Sequence, residues 1–394
     1  MDFKFSDEQQ QLRDSLQKYI SKEYGFEARK AIMESKTGYS EKVWAQFAEM
    51  GLLGVAFAEA HGGFGGTAVD TMLIMTELGR GIVIEPYFST VVLGGSLVDL
   101  AGSEAQKQAL LPKVVEGKLL LAAALGEPNS RHELNCVETT AKRDGSGFIL
   151  NGHKAVVLHG ESANQLLVSA RSAGAIRDAK GISLFMVDAK SSGVQVQGYR
   201  TIDGMRAAEI KFTNVKVGAD SVLGEIDAAL PLIERAADFA VSALCAEAVG
   251  AMEALNAATF EYLKTRQQFG RAIGSFQALQ HRAVDMFIHC EQSRSMAYLA
   301  SVKVQSQDAK ERKRTVSAAK IQIGNSGRSI SQEAIQLHGG MGVSNELAAG
   351  HYAKRLTMIN ATLGDVDHHS FQHILRRQLK FLGPCANQLI IRRA

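Results

Sequence analysis

Proline is scarce in this chain of 394 residues: five occur, at positions 86, 112, 128, 231 and 384. Proline interrupts helix interiors, so the stretch from Leu232 to Gly383 is free to be helical. Cysteine is as sparse. Cys136, Cys245, Cys290 and Cys385 lie far apart and form no CxxC pair. That excludes a disulfide framework or a thiolate zinc cage and points to reduced thiols in the cytosol. Apolar runs of membrane-spanning length are missing, and "MDFKFSDEQQQLRDSL" lacks the apolar core of a signal peptide. A cytoplasmic location away from membranes is expected. Excess charge is missing too. The formal net charge is +3, with no basic stripe interleaved with aromatics, so nucleic acid is not an expected partner. The run "KERKR" (Lys310 to Arg314) reads as a solvated helix face or loop.

What is present divides the chain in three. A chain this long exceeds one typical core, so two or three domains are expected. Residues 1–118 read as helical. Ser6 and Gln9 have capping-box spacing, "SEKVWAQFAEMGLLG" has helical apolar spacing that Gly51 and Gly54 suit as an end, and "SEAQKQALLPKVVEGK" reads as a short helix broken at Pro112. Residues 119–228 carry short β-branched or alternating runs split by Gly, Asp and Asn, with "RDGSG" as a turn. Six or more such runs predict antiparallel strands in a small barrel or sandwich. Residues 229–394 return to helix, rich in alanine and unbranched side chains.

Several motifs could carry chemistry. "GGFGG" (Gly62 to Gly66) follows no strand and lacks GxGxxG spacing, so it is no dinucleotide fingerprint. "QLHGGMG" (Gln336 to Gly342) follows a helix; its glycines allow close backbone approach to a ligand, or equally a plain helix cap. In "TRQQFGRAIGSFQALQHR", Arg266 can pair with phosphate and Phe269 can cover a ring, while Gln268 and Gln277 can hydrogen-bond. A helix–loop–helix corner with a solvated arginine is the alternative. In "RLTMINATLGDVDHH", Asp365, His369 and the following His373 would share a helix face. That pattern suits a metal site or a catalytic cluster.

Taken together, the helical–β–helical order, "AEAHGGFGG", "GEP", "LNGHK", "RQQFG…IGSFQALQHRAVDM" and "QLHGGMG" resemble the acyl-CoA dehydrogenase family over essentially the whole chain. "LCAEAVGAMEAL", "LKTRQQFG" and "HYAKRLTMI" look most like the small subunits of bacterial pimeloyl-CoA dehydrogenases. The resemblance implies an α+β multidomain fold: an N-terminal helical domain, a middle β-barrel or sandwich domain and a C-terminal four-helix bundle. It implies FAD-dependent α,β-dehydrogenation of an acyl-CoA, with electrons passing to electron-transfer flavoprotein. It implies no metal at the Asp365 cluster, which then reads as a helix start with Asp365 a possible N-cap. It also implies a cofactor shared across subunits. Arg266, Gln268, Phe269, Gln277, Gln336, Gly339 and Gly340 match in type the residues that meet the pyrophosphate and adenosine from a neighbour, either a homologous large subunit or a second copy.

Two departures stand out. The family reads TEPxAGSD where this chain has "GEPNSRHE", so Gly126 and His132 replace hydroxyl residues. Its Trp-Ile-Thr falls on Val156, Val157 and Leu158. The glutamate of its Tyr-Glu-Gly-Thr segment falls on Asn360, and the alternative glutamate falls on Ala240. Neither can accept a proton. Glu247, two helical turns after Ala240 in an apolar context, is the first substitute as catalytic base. Asp365 and a partner subunit are the others.

Overall fold

Ser6 opens the first helix as its spacing with Gln9 predicts: its hydroxyl accepts the Gln9 N–H, and the Gln9 side chain accepts the Ser6 N–H. The computed structural model describes residues 5–372. The first part is helical: α1 (Asp7–Glu23), α2 (Phe26–Glu34), α3 (Glu41–Glu49), α4 (Ala68–Arg80), a π-helical stretch Phe88–Gly95, α5 (Ser96–Ala101) and α6 (Glu104–Val115). Helix α3 ends at Gly51, whose positive φ of 75° suits glycine. The expected break at Pro112 is not there. Helix α6 continues one turn past it because Leu111 and Val114 are both fully buried.

The strands are β1 (Leu121–Ala124), β2 (Thr140–Asp144), β3 (Gly147–Leu158), β4 (Gln165–Arg171), β5 (Ile182–Asp188), β6 (Val194–Arg200), β7 (Arg206–Val217) and β8 (Val222–Leu223). They form one sheet in the order β6-β7-β3-β2-β4-β5-β8, with β1 added on β4. The "RDGSG" turn joins β2 and β3 as a hairpin. The all-antiparallel expectation is corrected at two pairings: β1 and β2 each run parallel to β4. The cause is the long connection 125–139, which is no hairpin and delivers both strands in one direction. Phe148, Leu150, Val168, Phe185, Ile210 and Phe212 fill a core of their own beneath the sheet.

Helices return as α7 (Leu230–Thr265), α8 (Gln277–Lys303), α9 (Ala309–His338) and α10 (Ala348–Ala361). The larger core joins them to the N-terminal helices. At the α4–α7 crossing the backbones touch. A Cβ on Gly79 would strike the Glu247 carbonyl, and one on Gly250 the Thr76 carbonyl. No other residue permits that approach.

The three parts are also joined by buried charge. Arg355 on α10 donates from Nε and Nη2 to both Glu247 oxygens on α7, at 2.5 and 2.8 Å. Its Nη1 donates to Asp203 Oδ2 at 2.8 Å, in the β6–β7 turn. Arg29 on α2 donates to the Asp203 carbonyl at 2.7 Å and to the Ile82 carbonyl at 2.8 Å. Burial works against the Arg355 charge, but Glu247 and Asp203 outweigh it and raise its pKa. Breaking such a group by removing one partner strands the others. Arg355→Met should therefore cost about 3–5 kcal/mol of stability, read by urea unfolding.

Glu85 gives a pH signature. Burial pushes its carboxyl from the ordinary 4.5 up to about 7, against Tyr24 and backbone N–H groups that favour the charged form. A folded value above the unfolded one means stability fully present below about pH 4.5 and lost as pH rises through about 7. Glu85→Gln should flatten that decline, on the order of 3 kcal/mol over the window, in denaturation curves taken across it.

Candidate active site

One face of α7 carries Leu230, Glu234, Ala237, Asp238 and Val241, the three-and-four spacing of a helical stripe. This stripe walls a cavity of about 680 Å³. Phe88, Ser89 and Leu93 of the π-helical stretch, Leu125 to Glu127 after β1, and Ala155, Val156 and Leu158 of β3 line other sides. Met358, Ala361, Thr362 and Leu363, at the end of α10, complete it with Ser130 to Asn135, His368 and His369. Lys320 on α9 holds that end in place. It is fully buried, and its Nζ donates to the carbonyls of Ile359 at 2.7 Å and Thr362 at 2.6 Å. Burial lowers its pKa to about 8.

The charged groups of the wall are mostly paired. Glu127 accepts from Lys154 at 2.6 Å and from the backbone N–H groups of Glu138 and Thr139. Burial opposes its charge, but these partners prevail and hold it below its ordinary value. Asp238 accepts from Arg312 at 2.8 Å; burial nevertheless raises its pKa. Glu234 pairs with Lys313. Arg312 and Lys313 belong to "KERKR", and the solvated reading of that run is corrected here. Their side chains are 6% and 17% exposed and turn toward α7, because carboxylates there face them.

Histidines occupy the remaining side. The His132 and His368 rings meet edge to face at 5.4 Å, and His368 meets His369 at 5.2 Å. His132 Nε2 is 3.8 Å from Asp365 Oδ2, and His368 Nδ1 is 3.7 Å from Glu133 Oε1. His369 lies between Ser317 Oγ and the Leu363 carbonyl, each at 3.2 Å. A carbonyl only accepts, so Nε2 carries the proton and Nδ1 takes the serine hydroxyl. Burial, with Lys320 nearby, depresses His369 to about 3 and keeps it neutral.

The residues anticipated from sequence are scattered over several places. Glu247 does not line the cavity; both its oxygens are engaged by Arg355. That engagement, between helices α7 and α10, makes it an ion-pair partner. Ala240 is buried in the core, and Asn360 also lies off the cavity. The Asn360 amide packs on Gly324 of α9, where a Cβ would collide with it. Asp365 caps the helical residues 366–372, accepting the His368 N–H at 2.8 Å. His373 lies outside the described residues. Among those described, no group of three or more His, Cys, Asp or Glu could hold a metal. Nor is any helix among them long and apolar enough to cross a membrane.

The RQQFG and QLHGG motifs do come together. Tyr262 near the end of α7 stacks on His338 at 4.6 Å and donates to its carbonyl at 3.4 Å. Arg266 follows α7, and Gln267–Gln268 pairs with Arg271–Ala272 in a small hairpin. Phe269 at its tip is 90% exposed, and Gln277 begins α8. Gln336 is exposed in the last turn of α9, and the space around Gly339 and Gly340 is open. The Arg266 side chain has no partner among the described residues. None of these residues lines the cavity.

This arrangement fits FAD at its phosphate end, with an unpaired guanidinium, an exposed ring and approachable glycine backbone. Where the resemblance would put the flavin ring, Gly126, Val156 and Leu158 present no hydroxyl. Sequence reasoning missed Lys320 and read Lys313 as solvated; His368 stood in the His–Asp cluster of "RLTMINATLGDVDHH" but was given only a place at the helix start. Only the α7 stripe spacing could have pointed to the wall that Lys313 joins.

Family models for the acyl-CoA dehydrogenase N-terminal, middle and C-terminal domains match residues 6–118, 122–215 and 231–367. The chain therefore belongs to the acyl-CoA dehydrogenase family, FAD-dependent oxidoreductases acting on the CH–CH group of acyl-CoA. It is 28% identical over 355 residues to mitochondrial isovaleryl-CoA dehydrogenase of Solanum tuberosum, spanning 89% of this chain and 85% of that one. Butyryl-CoA dehydrogenase from Megasphaera elsdenii shares the fold with a TM-score of 0.88 at 25% identity, covering 96% of this chain and all of that one. A variant of the Tcur3481-Tcur3483 steroid ACAD gives 0.86 at 29% identity, covering 96% and 99%.

The missing family glutamate cannot be restored in place. Asn360→Glu should leave turnover no higher and cost about 1–3 kcal/mol, because the longer charged chain must enter the contact with Gly324. Steady-state kinetics and thermal unfolding check both halves.

Proposed function

We propose that this chain oxidises the α,β bond of an acyl-CoA as one subunit of a flavin-sharing oligomer. One observation supports the reading: the cavity and the residues proposed to bind the cofactor's phosphates share no position within the chain. Each cavity thus needs the Arg266, Phe269 and Gln336 corner of a neighbour. The loss of ring-side hydroxyls and of both usual glutamates favours a paralogous large subunit as that neighbour. The resemblance to a steroid ACAD named for two chains supports the same view. Electron-transfer flavoprotein is the proposed acceptor. The substrate class follows the resemblance to pimeloyl-CoA dehydrogenases, a dicarboxylyl thioester, with a bulky steroid-type acyl group as the second reading.

The residues divide the work. Phe88, Leu93, Leu230, Val241, Met358 and Leu363 exclude water around the acyl chain, which strengthens every polar contact there. Lys320 fixes the end of α10, which forms one wall, and the Glu127–Lys154 pair fixes the loop after β1, which forms the other. Flavin would supply the two-electron oxidising capacity. For a flavin in a neighbour's cavity, Arg266 would hold the pyrophosphate and Phe269 would cover the adenosine part.

The test is co-expression with a paralogous large subunit, followed by the visible flavin spectrum and an acyl-CoA panel with an artificial acceptor. Flavin retention and turnover should appear only in the complex, and Arg266→Ala should weaken retention about 10–100-fold. Stoichiometric flavin and full turnover from the chain alone would reject sharing with a paralogue. A flavin-loaded complex in which variants of this chain's cavity leave turnover intact would make it an assembly subunit.

A further inference from the structure

α,β-Dehydrogenation needs a proton acceptor inside the cavity, and the carboxylates of its wall are spent. Glu127 is held by Lys154 and two backbone N–H groups. Asp238 is held by Arg312, and Glu234 by Lys313. Glu133 is 42% exposed, too wet for abstracting a proton from carbon, and His369 is fixed between Ser317 and Leu363. Glu247 and Asn360 do not reach the space. Asp365 does not line the cavity either, so what remains among this chain's own lining residues is the pair His132 and His368. His132 lies in the connection between β1 and β2, His368 in the helical residues that follow α10, and their rings meet at 5.4 Å.

We propose that His368 is the base of this reaction, with His132 as its positioning residue. The assignment rests on the acyl-CoA-oxidising function proposed above. Glu133 Oε1 lies 3.7 Å from Nδ1, beyond hydrogen-bond length, and its charge favours the ring proton on that side. The Nε2 lone pair is then free, with no partner among the described residues. In the step, the α-C–H bond breaks and its proton goes to Nε2. The bonding electron pair moves into the thioester as an enolate. The imidazolium so formed is balanced by Glu133 and, beyond His132, by Asp365.

The groups facing His368 are His132 and Glu133 from the loop before β2, Asp365 and His369 from its own segment, and Lys320 from α9. Burial and the neighbouring His132 and Lys320 depress its pKa, against Glu133 and Asp365. The ring is therefore neutral, and competent, at ordinary pH. The rate should fall only on the acid side of the unperturbed imidazole value, about 6.5.

The test follows α-deuterium exchange of acyl-CoAs in D2O by the flavin-loaded complex, beside steady-state turnover. His368→Gln should reduce both exchange and kcat by about 10²–10⁴-fold while KM and flavin content stay within about twofold. His132→Gln should lose less and shift the acid limb of the pH profile. His368→Ala, if Gln folds poorly, should regain exchange when imidazole is added. Wild-type exchange rates in His368→Gln, or in His368→Ala without imidazole, would overturn the base assignment alone. A wild-type complex that neither exchanges nor oxidises any acyl-CoA would overturn the functional reading, and the assignment with it.

Discussion

The join between the two helical parts and the sheet depends on one buried guanidinium. Arg355 reaches from α10 to Glu247 on α7 and to Asp203 between β6 and β7, and Arg29 on α2 grips the same turn. Hydrophobic burial gives no direction, so it would let these parts slide. A bidentate ion pair in a dry site fixes angle as well as distance. Of these elements α7 and α10 wall the cavity, so the angle between two of its walls is set by a contact that does not touch it.

The same framework sets the places of the departures from the family pattern. Glu247 serves Arg355, Asn360 faces Gly324, and the chain after α10 turns to line the cavity with His368 and His369. Lys320 makes that turn possible by satisfying the carbonyls that end α10, two orphan acceptors that would otherwise be left beside an apolar wall.

The fold was largely legible in the sequence, because helix periodicity, the Ser6 cap and the "RDGSG" turn are local signals. The motifs Arg266–Gly270 and Gln336–Gly340 were legible for the same reason. The wall chemistry was not. Arg355 and Glu247 are 108 residues apart, and Lys154 and Glu127 are 27 apart. Nothing local shows which buried charges meet. "KERKR" misled because charge runs are usually solvated, and only the carboxylates of α7 turn two of its members inward. Pro112 misled because packing of Leu111 and Val114 outweighs the lost backbone hydrogen bond.

The crossing of α4 and α7 at Gly79 and Gly250 has a mechanical consequence. Backbone lying on backbone leaves no flexible side chains to absorb displacement, so the two helices move as one rigid beam. Opening the cavity to a long thioester therefore falls to its lighter walls: the loop between β1 and β2, and the segment after α10. These two meet across the gap through imidazoles set edge to face and through the His132–Asp365 and His368–Glu133 contacts, none of which involves the beam.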